Sequence, residues 1–405
     1  MQKQDQKIGI IGGCGHIGLP LGLVLAKEGF QVTLIDSNEE SVGLVSRRIM
    51  PFMEADADNL LEEVINNGNL TVTADKSEIK NQNIIFVCIG TPVDEHQSPV
   101  PRVFANFLES IKEYLQRDQI MVLRSTVFPG TSDWLEKKLS LYGVDLAFCP
   151  ERIVQGQAIS ELYSLPQIIS ANAQLCEQRV SRVFQTFSPS IVIANFKEAE
   201  FAKLFLNAYR YIQFAATNEF FMLADQAGID YAKVHSIMIE GYARAKDFPR
   251  AGLAAGPCLL KDTQQLLAFG QNQFQIGNAA IMANEGLALR LISIAERYVP
   301  LENSTIGLLG MAFKANNDDI RSSLSYRVRK MLQLRAKKVL SADPFVTNDS
   351  SLVSEEELIR DSDLIIICTP HSRYTKLTLD KKKVIDIWNV TGNGLLFYPE
   401  KNENQ

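Results

Sequence analysis

The stretch Lys7–Asp36, KIGIIGGCGHIGLPLGLVLAKEGFQVTLID, decides the fold of the first third of the chain. It begins with a short apolar run, Ile8–Ile11, and continues with the pattern G-x-G-x-x-G over Gly13–Gly18. A helix-like segment follows, and then a second apolar run that ends in Asp36. This order predicts strand, glycine turn, helix and strand, which is the opening βαβ unit of a doubly wound α/β fold.

The three glycines of this pattern have separate physical tasks. We expect Gly13 to allow the tight turn, Gly15 to let the backbone approach a pyrophosphate, and Gly18 to let helix pack on strand. The helix N-terminus would offer free N–H groups to the phosphates, and Asp36 would accept hydrogen bonds from the adenosine ribose. Because a carboxylate repels a 2′-phosphate and no arginine follows directly in DSNEES, the sequence favours NAD over NADP.

Three further strands are predicted by the apolar runs in NIIFVCIGTP, QIMVLRSTVFPGT and VDLAFCPERI. Residues just past the carboxyl ends of parallel strands line the ligand crevice of such a sheet. The residues expected to face it are Thr91, Pro92, Ser125, Thr126 and Glu151. Turn chemistry explains each of these equally well when it is taken alone. The cofactor set expected in this domain is Gly13, Gly15, His16, Ile17, Gly18, Asp36, Thr91, Pro92, Ser125 and Thr126.

The composition limits the partners and the compartment. A chain of 405 residues exceeds one typical core, so we expect two or three domains. Its net charge of −6, without a block of basic residues, predicts no nucleic-acid partner, and its apolar runs are too short to span a membrane. Six cysteines without a C-x-x-C pair and four scattered histidines predict reduced thiols in a cytoplasmic protein, with no disulfide framework and no metal site.

The segment Glu198–Gly228 predicts one long helix, because it contains no proline and its only glycine comes at the end. Spacings of three and four residues place five side chains on one stripe of this helix. They are Lys203, Asn207, Arg210, Phe214 and Asn218. Two interpretations stay open, namely an ordinary solvated face and a row of hydrogen-bond donors aimed into a cleft.

The last third repeats the opening pattern. STIGLLGMAFK is similar to QKIGIIGGCGH, KKVLSADPF to FQVTLIDSN with Asp343 in the place of Asp36, and SDLIIICTPH to QNIIFVCIGTP. We therefore expect a second doubly wound α/β domain. Because Met311–Phe313 replace the small residues of the glycine pattern, this domain should bind something other than a dinucleotide pyrophosphate. Lys314 and Arg321 suit phosphate, although NDDIRSS would also serve as a charged helix N-terminus.

Seven motifs together resemble the UDP-glucose/GDP-mannose dehydrogenase family, the NAD-dependent nucleotide-sugar 6-dehydrogenases. In chain order they are G-x-G-x-x-G, GTP, STVFPGT, PER…G, KLFLNAYR…NE, GPCLLKD and FKANNDDIRSS…ADP, and they span nearly the whole chain. The resemblance implies two Rossmann-like domains joined by a long central helix within a helical middle domain. It implies an NAD domain at 1–195, a central dimerisation and catalytic domain at 196–300, and a UDP-sugar domain at 301–405. It also implies a homodimer.

The family oxidises the C6 alcohol of a sugar to a carboxylate with two NAD⁺ and one water. By the resemblance, Cys258 of GPCLLKD attacks the C6 aldehyde, hydride transfer then gives a thioester, and water hydrolyses it. As a lone residue, Cys258 would be a packing residue. The chemistry favours the nucleophile, because a thiolate adduct splits one hard oxidation into two easier steps and nearby cations stabilise the thiolate.

The resemblance assigns roles to five further residues. Lys203 and Asn207 resemble the pair that stabilises oxyanion character at C6, and donors so aimed lower a barrier most. Asp262 and Thr126 resemble the residues that hold and activate the water. Glu151 resembles the glutamate of thioester hydrolysis.

The substrate contacts implied by the resemblance include two arginines between which the sequence does not choose. In the family an arginine of the partner subunit reaches the sugar nucleotide, and Arg244 and Arg250 are both candidates. Arg321 is expected near the nicotinamide cofactor. The full substrate set is Glu151, Arg152, Lys203, Asn207, Arg210, Arg244, Arg250, Gly256 and Lys314.

The segment PERIVQG, residues 150–156, resembles the PERxxPG of enzymes that act on UDP-N-acetylhexosamines more than the PEFLREG of UDP-glucose dehydrogenases. Gln155 departs from both patterns, and Ala254 and Ala255 replace glycines of the cysteine loop. We expect oxidation of a UDP-N-acetylhexosamine, with UDP-glucose as the alternative. Two other classes compete, a two-electron hydroxyacid dehydrogenase of the 6-phosphogluconate type, which needs no such cysteine, and a non-catalytic nucleotide-sugar sensor, which would lack the nucleophile.

Overall fold

The computed structural model describes residues 6–94, 100, 102–379, 382–394 and 396–397. The chain divides into two compact units, Met1–Leu206 and Asn207–Gln405. The boundary falls inside one continuous helix of 31 residues, Phe196–Gln226. The division into three domains at 195 and 300 stays a prediction.

The first unit is built on one sheet of eight strands. They are β1 (Lys7–Ile11), β2 (Gln31–Ile35), β3 (Leu70–Thr73), β4 (Ile84–Val87), β5 (Ile120–Leu123), β6 (Asp145–Phe148), β7 (Gln167–Ala171) and β8 (Ile191–Ile193). Their order is β3-β2-β1-β4-β5-β6-β7-β8, and the first six are parallel. This is the 3-2-1-4-5-6 order of a doubly wound dinucleotide-binding sheet. It is extended by β7, antiparallel to β6, and by β8, parallel to β7.

Helices cover both faces of this sheet. They are α1 (Gly18–Lys27), α2 (Glu39–Ser46), α3 (Ala57–Asn66), α4 (Val103–Ile111), α5 (Thr131–Leu139), α6 (Ala158–Ser164) and α7 (Gln174–Phe184), followed by α8 (Phe196–Gln226). Every residue of the central strands β4 and β5 is buried, as expected for parallel strands covered on both faces. Two apolar clusters result, one on each side of the sheet.

The second unit contains a smaller sheet of five strands, β9 (Thr305–Leu309), β10 (Lys338–Ala342), β11 (Leu364–Ile367), β12 (Lys383–Ile385) and β13 (Leu396–Phe397). Their order is β10-β9-β11-β12-β13, and only β13 runs antiparallel to its neighbour. The accompanying helices are α9 (Tyr231–Ile239), α10 (Leu259–Phe269), α11 (Gln275–Glu296), α12 (Leu324–Gln333) and α13 (Glu355–Asp361). The three strands predicted from the repeated pattern are β9, β10 and β11.

The fold class predicted from the sequence is confirmed. Two doubly wound α/β sheets are present, and the long helix predicted at Glu198–Gly228 is α8. Helices α10 and α11 of the middle segment were not placed by the sequence patterns. No helix within the described ranges is both long and apolar enough to cross a bilayer.

Candidate active site

The glycine turn between β1 and α1 contains one left-handed residue, and it is Gly12 rather than Gly13. Gly12 has φ +74°, and a Cβ there would lie 2.6 Å from the Cys88 carbonyl oxygen. Gly13, which was expected to allow the tight turn, does not have a positive φ. A Cβ on Gly13 would lie 2.7 Å from the Ile10 carbonyl oxygen and 2.8 Å from the Cβ of Leu34, so the turn packs this closely on β1 and β2 only with glycine there.

The other two glycines of the pattern differ in what surrounds them. A Cβ on Gly18 would lie 2.2 Å from the Gly12 carbonyl oxygen, so only glycine lets α1 begin this close to the turn. A Cβ on Gly15 would make only an ordinary contact, at 3.5 Å from that oxygen. Gly15 thus borders open space, which a side chain would fill and a pyrophosphate would need. The turn fits a dinucleotide.

Asp36 fixes the glycine turn to the end of β2. Its carboxylate accepts hydrogen bonds from the backbone N–H of Cys14 at 2.9 Å and of Asn38 at 3.0 Å. The side chain is half-buried and keeps unused acceptor capacity for ribose hydroxyls.

In the glycine turn the ring of His16 stacks on Phe52 with ring centroids 4.0 Å apart. Ile17, also predicted to contact the cofactor, is half-buried directly before α1.

The residues expected along the strand ends do lie at one edge of the sheet, because β1, β4, β5 and β6 are parallel neighbours. Thr91 and Pro92 follow β4, Ser125 and Thr126 follow β5, and Glu151 follows β6. Thr126 is half-buried, whereas Ser125 is buried and donates its hydroxyl to the Ile89 carbonyl at 2.7 Å. Ser125 therefore ties two strand-end loops together.

Glu151 is held by a buried ion pair that the sequence patterns did not reveal. Its Oε2 accepts a hydrogen bond from Arg124, which is 1% exposed and also donates to Gln167 at 2.9 Å. Its Oε1 accepts the backbone N–H groups of Arg152 and Ile153 at 2.7 and 3.1 Å. The Glu151 carboxylate therefore accepts hydrogen bonds from the backbone of the loop that follows it and fixes the conformation of that loop.

Two more carboxylates hold the rest of the PERIVQG loop. Glu161 accepts from the N–H of Val154 at 2.5 Å. Glu54, which is buried, accepts from the N–H groups of Gly156 and Ala158 at 2.8 and 2.6 Å. The loop is thus preformed by acids from three places in the chain.

Arg152 and Gln155 are the loop positions that the sequence had singled out. The guanidinium of Arg152 donates to the carbonyl of Pro166. Burial lowers the pKa of Arg152 below its ordinary value. Gln155 is half-buried at the tip of the loop.

Glu200 joins the first turns of α8 to the loop that carries Thr126. Its carboxylate, 1% exposed, accepts the backbone N–H groups of Gly130 at 2.7 Å and Ser132 at 2.8 Å at the start of α5. Lys203, predicted to be catalytic, follows three residues later on α8 and is half-buried. An acid at a helix N-terminus satisfies donors that have no partner within the helix.

In the second unit, Cys258 is the exposed cysteine of the chain and directly precedes α10. Burial raises the pKa of the other five thiols to about 12; they are Cys14, Cys88, Cys149, Cys176 and Cys368. The position of Cys258 exposes it to the positive end of the α10 dipole, which stabilises negative charge.

The backbone before Cys258 requires a glycine. Gly256 has φ +107°, and a Cβ on it would lie 2.6 Å from the ring of Phe313. Its N–H donates to the Ser322 carbonyl at 3.3 Å. The cysteine loop thus packs on the segment that carries Lys314 and Arg321. Gly256 was expected to contact the substrate, and the structure shows in addition that the backbone of the cysteine loop requires a glycine at this position.

Asp262, four residues after Cys258, is completely buried in the first turn of α10. Its Oδ2 accepts from Asn207 Nδ2 at 2.5 Å, and Lys261 Nζ lies 3.3 Å from its Oδ1. Asn207 is 7% exposed and lies one helical turn after Lys203 on α8.

The side chains of the stripe predicted on α8 differ in their exposure to solvent, since Arg210 is exposed, whereas Asn207 and Asn218 are buried.

Arg321 lies within electrostatic range of the nucleophile candidate. Hydrogen bonds to the Asp319 carboxylate raise the pKa of the Arg321 guanidinium, and the charge of Cys258 adds to the rise against the effect of burial. Lys314 is half-buried on the same segment. The two cations expected for phosphate binding are thus seven residues apart on one irregular loop beside the cysteine segment.

Asp343 repeats the arrangement of Asp36 but is closed to a ribose. It accepts from the N–H groups of Met311 and Ala312 at 2.6 and 2.9 Å, and its Oδ2 also lies 3.0 Å from His371 Nε2. Asn316 N–H donates to His371 Nδ1, so Nε2 carries the hydrogen. Burial opposes ionisation, but the hydrogen bonds from His371 and the backbone lower the pKa of Asp343.

The two candidate arginines before the cysteine loop have different surroundings. Arg250 donates to the carbonyls of Trp388 at 3.3 Å and Asn389 at 3.2 Å within its own chain. Arg244 is exposed, with its guanidinium 4.8 Å from the ring centroid of Tyr242. Within the part of the chain that the structure describes, no group of three or more His, Cys, Asp and Glu side chains could hold a metal ion.

Comparison with known proteins agrees with this geometry. Family models of the UDP-glucose/GDP-mannose dehydrogenase family match the NAD binding domain at residues 6–188, the central domain at 197–286 and the UDP binding domain at 307–393. The chain belongs to this family. It is an NAD-dependent nucleotide-sugar dehydrogenase, and strands β9 to β12 of its second sheet overlap the match to the family's UDP binding domain.

The relatives of this dehydrogenase act on different sugars. The UDP-N-acetyl-D-mannosamine dehydrogenase of Pyrococcus horikoshii is 27% identical over 383 residues, 89% of each chain. Its solved structure superposes with a TM-score of 0.87 at 25% identity, covering 95% of this chain and 96% of that one. The UDP-glucose 6-dehydrogenase of Bacillus subtilis is 25% identical over 401 residues, 94% of this chain and 87% of the relative.

Several residues that shape the site of this dehydrogenase were missed from the sequence. They are Glu54, Arg124, Glu200, Phe313 and Ser322. Each of them contacts a loop that is distant in sequence. Sequence patterns are local, so they do not reveal such contacts. The one available signal was PGT before α5, because a helix start without a side-chain cap needs an acceptor from elsewhere.

Proposed function

We propose that this enzyme oxidises the C6 alcohol of a UDP-sugar to a uronate in a four-electron reaction, with a UDP-N-acetylhexosamine as the favoured substrate. One observation carries the proposal. Cys258 is the exposed thiol among six cysteines, and it stands at the N-terminus of α10 with Arg321 in electrostatic range. A thiol in such surroundings is suited to nucleophilic attack.

The C6 alcohol loses a hydride and a proton to become an aldehyde, and the Cys258 thiolate adds to C6 to give, after protonation, a thiohemiacetal. Loss of a second hydride and the hydroxyl proton gives a thioester, and water replaces sulfur at C6 to give the carboxylate. Bound NAD⁺ supplies the hydride acceptor, so one sugar and one water yield two NADH and three protons. The glycine turn and Asp36 are the residues that would hold it.

The chain's own residues would serve these steps in distinct ways. Lys203 and Asn207, one turn apart on α8, would donate to the oxygen on C6 as it gains negative charge. Asp262 and Thr126 would hold the water of the hydrolysis step. Glu151, paired with Arg124, would act as a hydrogen-bond acceptor during thioester hydrolysis.

The choice of sugar is supported by two observations. The PER sequence at 150–152 resembles that of enzymes acting on UDP-N-acetylhexosamines, and a relative named for UDP-N-acetyl-D-mannosamine is 27% identical. UDP-glucose remains the alternative, since a relative named for it is 25% identical. Discrimination between the two depends on contacts to one acetamido or hydroxyl group.

The test is NADH formation measured at the nicotinamide absorbance against a panel of UDP-glucose, three UDP-N-acetylhexosamines (gluco, manno and galacto) and GDP-mannose. We expect two NADH per sugar consumed and the highest kcat/KM on one UDP-N-acetylhexosamine. One NADH per sugar would contradict the four-electron reaction. The highest kcat/KM on UDP-glucose would contradict the proposed sugar and leave the reaction intact.

We also propose that the enzyme is a cytoplasmic homodimer. Four side chains of α8, between 44% and 61% exposed, fall on one face of the helix at spacings of four, eleven and three residues: Phe205, Tyr209, Phe220 and Leu223. A second copy of the same face would cover them. Arg244 would reach the partner's substrate, because the guanidinium of Arg250 is bonded to two carbonyls of its own chain. Light scattering after size exclusion should give a dimer for the wild type and Leu175→Glu, and a monomer for Leu223→Glu.

A further inference from the structure

One face of α8 reaches the cysteine segment at two places. Asn207 and Asn218 are eleven residues apart, which is about three helical turns, so their side chains point the same way. Both are buried, Asn218 completely. Asn207 bonds to Asp262, four residues after Cys258. Asn218 bonds to Gly252, six residues before Cys258.

The contact between Asn218 and Gly252 uses both ends of the amide. Asn218 Oδ1 accepts the Gly252 N–H at 2.9 Å, and its Nδ2 donates to the Gly252 carbonyl at 3.1 Å. The same Nδ2 donates to Asn284 Oδ1 at 2.8 Å, and Asn284 Nδ2 donates to the Tyr211 carbonyl at 2.9 Å. Reversing the Asn218 amide would oppose donor to donor at Gly252, so the network allows one orientation.

A second side chain packs closely on Gly252. A Cβ on Gly252 would lie 2.2 Å from the ring of Trp388, whose Nε1 donates to the Cys368 carbonyl at 2.8 Å. The Gly252 carbonyl additionally accepts the Ala254 N–H at 2.8 Å. The start of the cysteine loop is therefore held both by the amide of Asn218 and by contact with an indole ring that is itself hydrogen-bonded.

We propose that Asn218 is a positioning residue for Cys258, and that Asn284 acts through it by fixing the orientation of its amide. Helix α8 holds the segment Gly252–Asp262 at both ends, so the thiol has a fixed place relative to the helix that carries Asn207. This rests on the proposed function, in which Cys258 attacks C6. A displacement of about 1 Å in a reacting group costs on the order of 10²-fold in rate, so such a clamp is worth a measurable part of kcat.

The experiment compares Asn218→Ala, Asn284→Ala and the double variant with the wild-type enzyme, well below their melting temperatures. We expect Asn218→Ala to lower kcat for acid formation by about 10- to 100-fold, and to change the dissociation constant of NAD by less than about twofold, because the cofactor turn lies in the first unit. Hydrogen exchange should speed up at the amides of Gly252 and Ala254. Asn69→Ala, which removes an amide that donates to the Ala26 carbonyl, is the matched control and should keep the wild-type kcat.

The double variant separates positioning from general loss of stability. If Asn284 acts through Asn218, the double variant loses no more kcat than Asn218→Ala, because coupled residues are not additive. Losses that multiply would overturn the role of Asn284. A wild-type kcat for Asn218→Ala with faster exchange at Gly252 would overturn the positioning role.

Iodoacetamide labelling of wild-type Cys258, located by mass spectrometry, keeps this test apart from the proposed function. If the labelled enzyme still forms acid, the covalent mechanism fails whatever Asn218 does. If labelling abolishes acid formation and Asn218→Ala stays fully active, only the positioning inference fails.

Discussion

Asn207 donates its side-chain amide to the carboxylate of Asp262 over 2.5 Å, and Asp262 is completely buried. Lys261 lies 3.3 Å from the other carboxylate oxygen. This places one charge-assisted hydrogen bond between α8 and the helix that Cys258 begins. A buried carboxylate without partners is strongly unfavourable, so the contacts with Asn207 and Lys261 stabilise Asp262 in its buried position.

Asn207→Ala should therefore cost stability as well as rate. The substitution removes the hydrogen bond that Asn207 donates to Asp262 Oδ2, which should lower the free energy of unfolding by about 1–3 kcal/mol. Asn207→Asp should cost more, because two buried carboxylates would face each other. Urea unfolding and kcat are the measurements. Asn195→Ala, in the cap of the same helix, should lose stability but keep kcat. An Asn207→Asp enzyme as stable as the wild type would contradict the contact.

Cys258→Ser should stop the second oxidation and leave cofactor binding unchanged. A serine hydroxyl at the start of α10 is a far weaker nucleophile than a thiolate, so acid formation should fall by about 10³-fold or more. The readouts are uronate by chromatography and the dissociation constant of NAD by fluorescence. Cys176→Ala, at a buried thiol of α7, should keep acid formation. Unchanged acid output from Cys258→Ser would remove the covalent mechanism.

Asp36→Ala should weaken NAD much more than it slows chemistry. The carboxylate anchors Cys14 in the glycine turn and would accept the ribose hydroxyls, and hydrogen bonds to a charged group contribute about 1.5–3 kcal/mol. We expect KM for NAD to rise by about tenfold or more, with kcat at saturating NAD within about threefold. Asp75→Ala, which removes an exposed carboxylate that caps Ser77, is the control. Equal losses in kcat and in NAD affinity would indicate misfolding instead.

Much of the fold was predictable because its signals are local. Strand-length apolar runs that end in turn residues predict β1, β2, β4, β5 and β6. The segment Glu198–Gly228, which contains no proline, predicts α8 to within two residues at each end. The repeated pattern likewise predicts β9, β10 and β11. The positive φ of the turn could not be assigned from the sequence, because Gly12 and Gly13 are adjacent and only the structure shows which of them has it.

The supporting residues of the site could not be predicted in this way. Arg124 follows a strand like any other loop residue, and arginines are mostly exposed, so its buried pairing with Glu151 depends on two strands meeting. Glu200 and Glu54 accept amides about seventy and one hundred residues away in sequence. These contacts exist only once the sheet has formed.

Arg124→Met should be among the most destabilising single changes in the first unit. It removes the guanidinium and leaves the Glu151 charge buried, which costs about 3–5 kcal/mol in the free energy of unfolding. Adding Glu151→Gln should recover part of the loss, since no unpaired charge then remains. Urea unfolding measures both. Arg360→Met, at an exposed pair with Asp361, should change stability little. Equal effects at the two sites would mean that the buried pair contributes nothing special.

Glu200→Gln should change how stability depends on pH. Burial raises the pKa of Glu200 above its ordinary value of 4.5, against the lowering effect of hydrogen bonds from Ser132 and Gly130. A carboxyl with a higher pKa in the folded state binds its proton more tightly there, so its contribution to stability is full below pH 4.5 and is lost as pH rises through the folded-state pKa. Glutamine does not titrate.

The free energy of unfolding of the wild type, minus that of Glu200→Gln, should therefore fall as pH rises from below 4.5 and then level off. A constant offset is expected throughout, because a glutamine oxygen replaces two carboxylate oxygens at Gly130 and Ser132. Urea unfolding across acidic to neutral pH is the measurement. Glu198→Gln, at an exposed acid in the same turn, is the control for removing a carboxylate from this helix. A Glu200 difference that grows with pH would mean that the hydrogen bonds from the start of α5 outweigh the burial of the carboxylate.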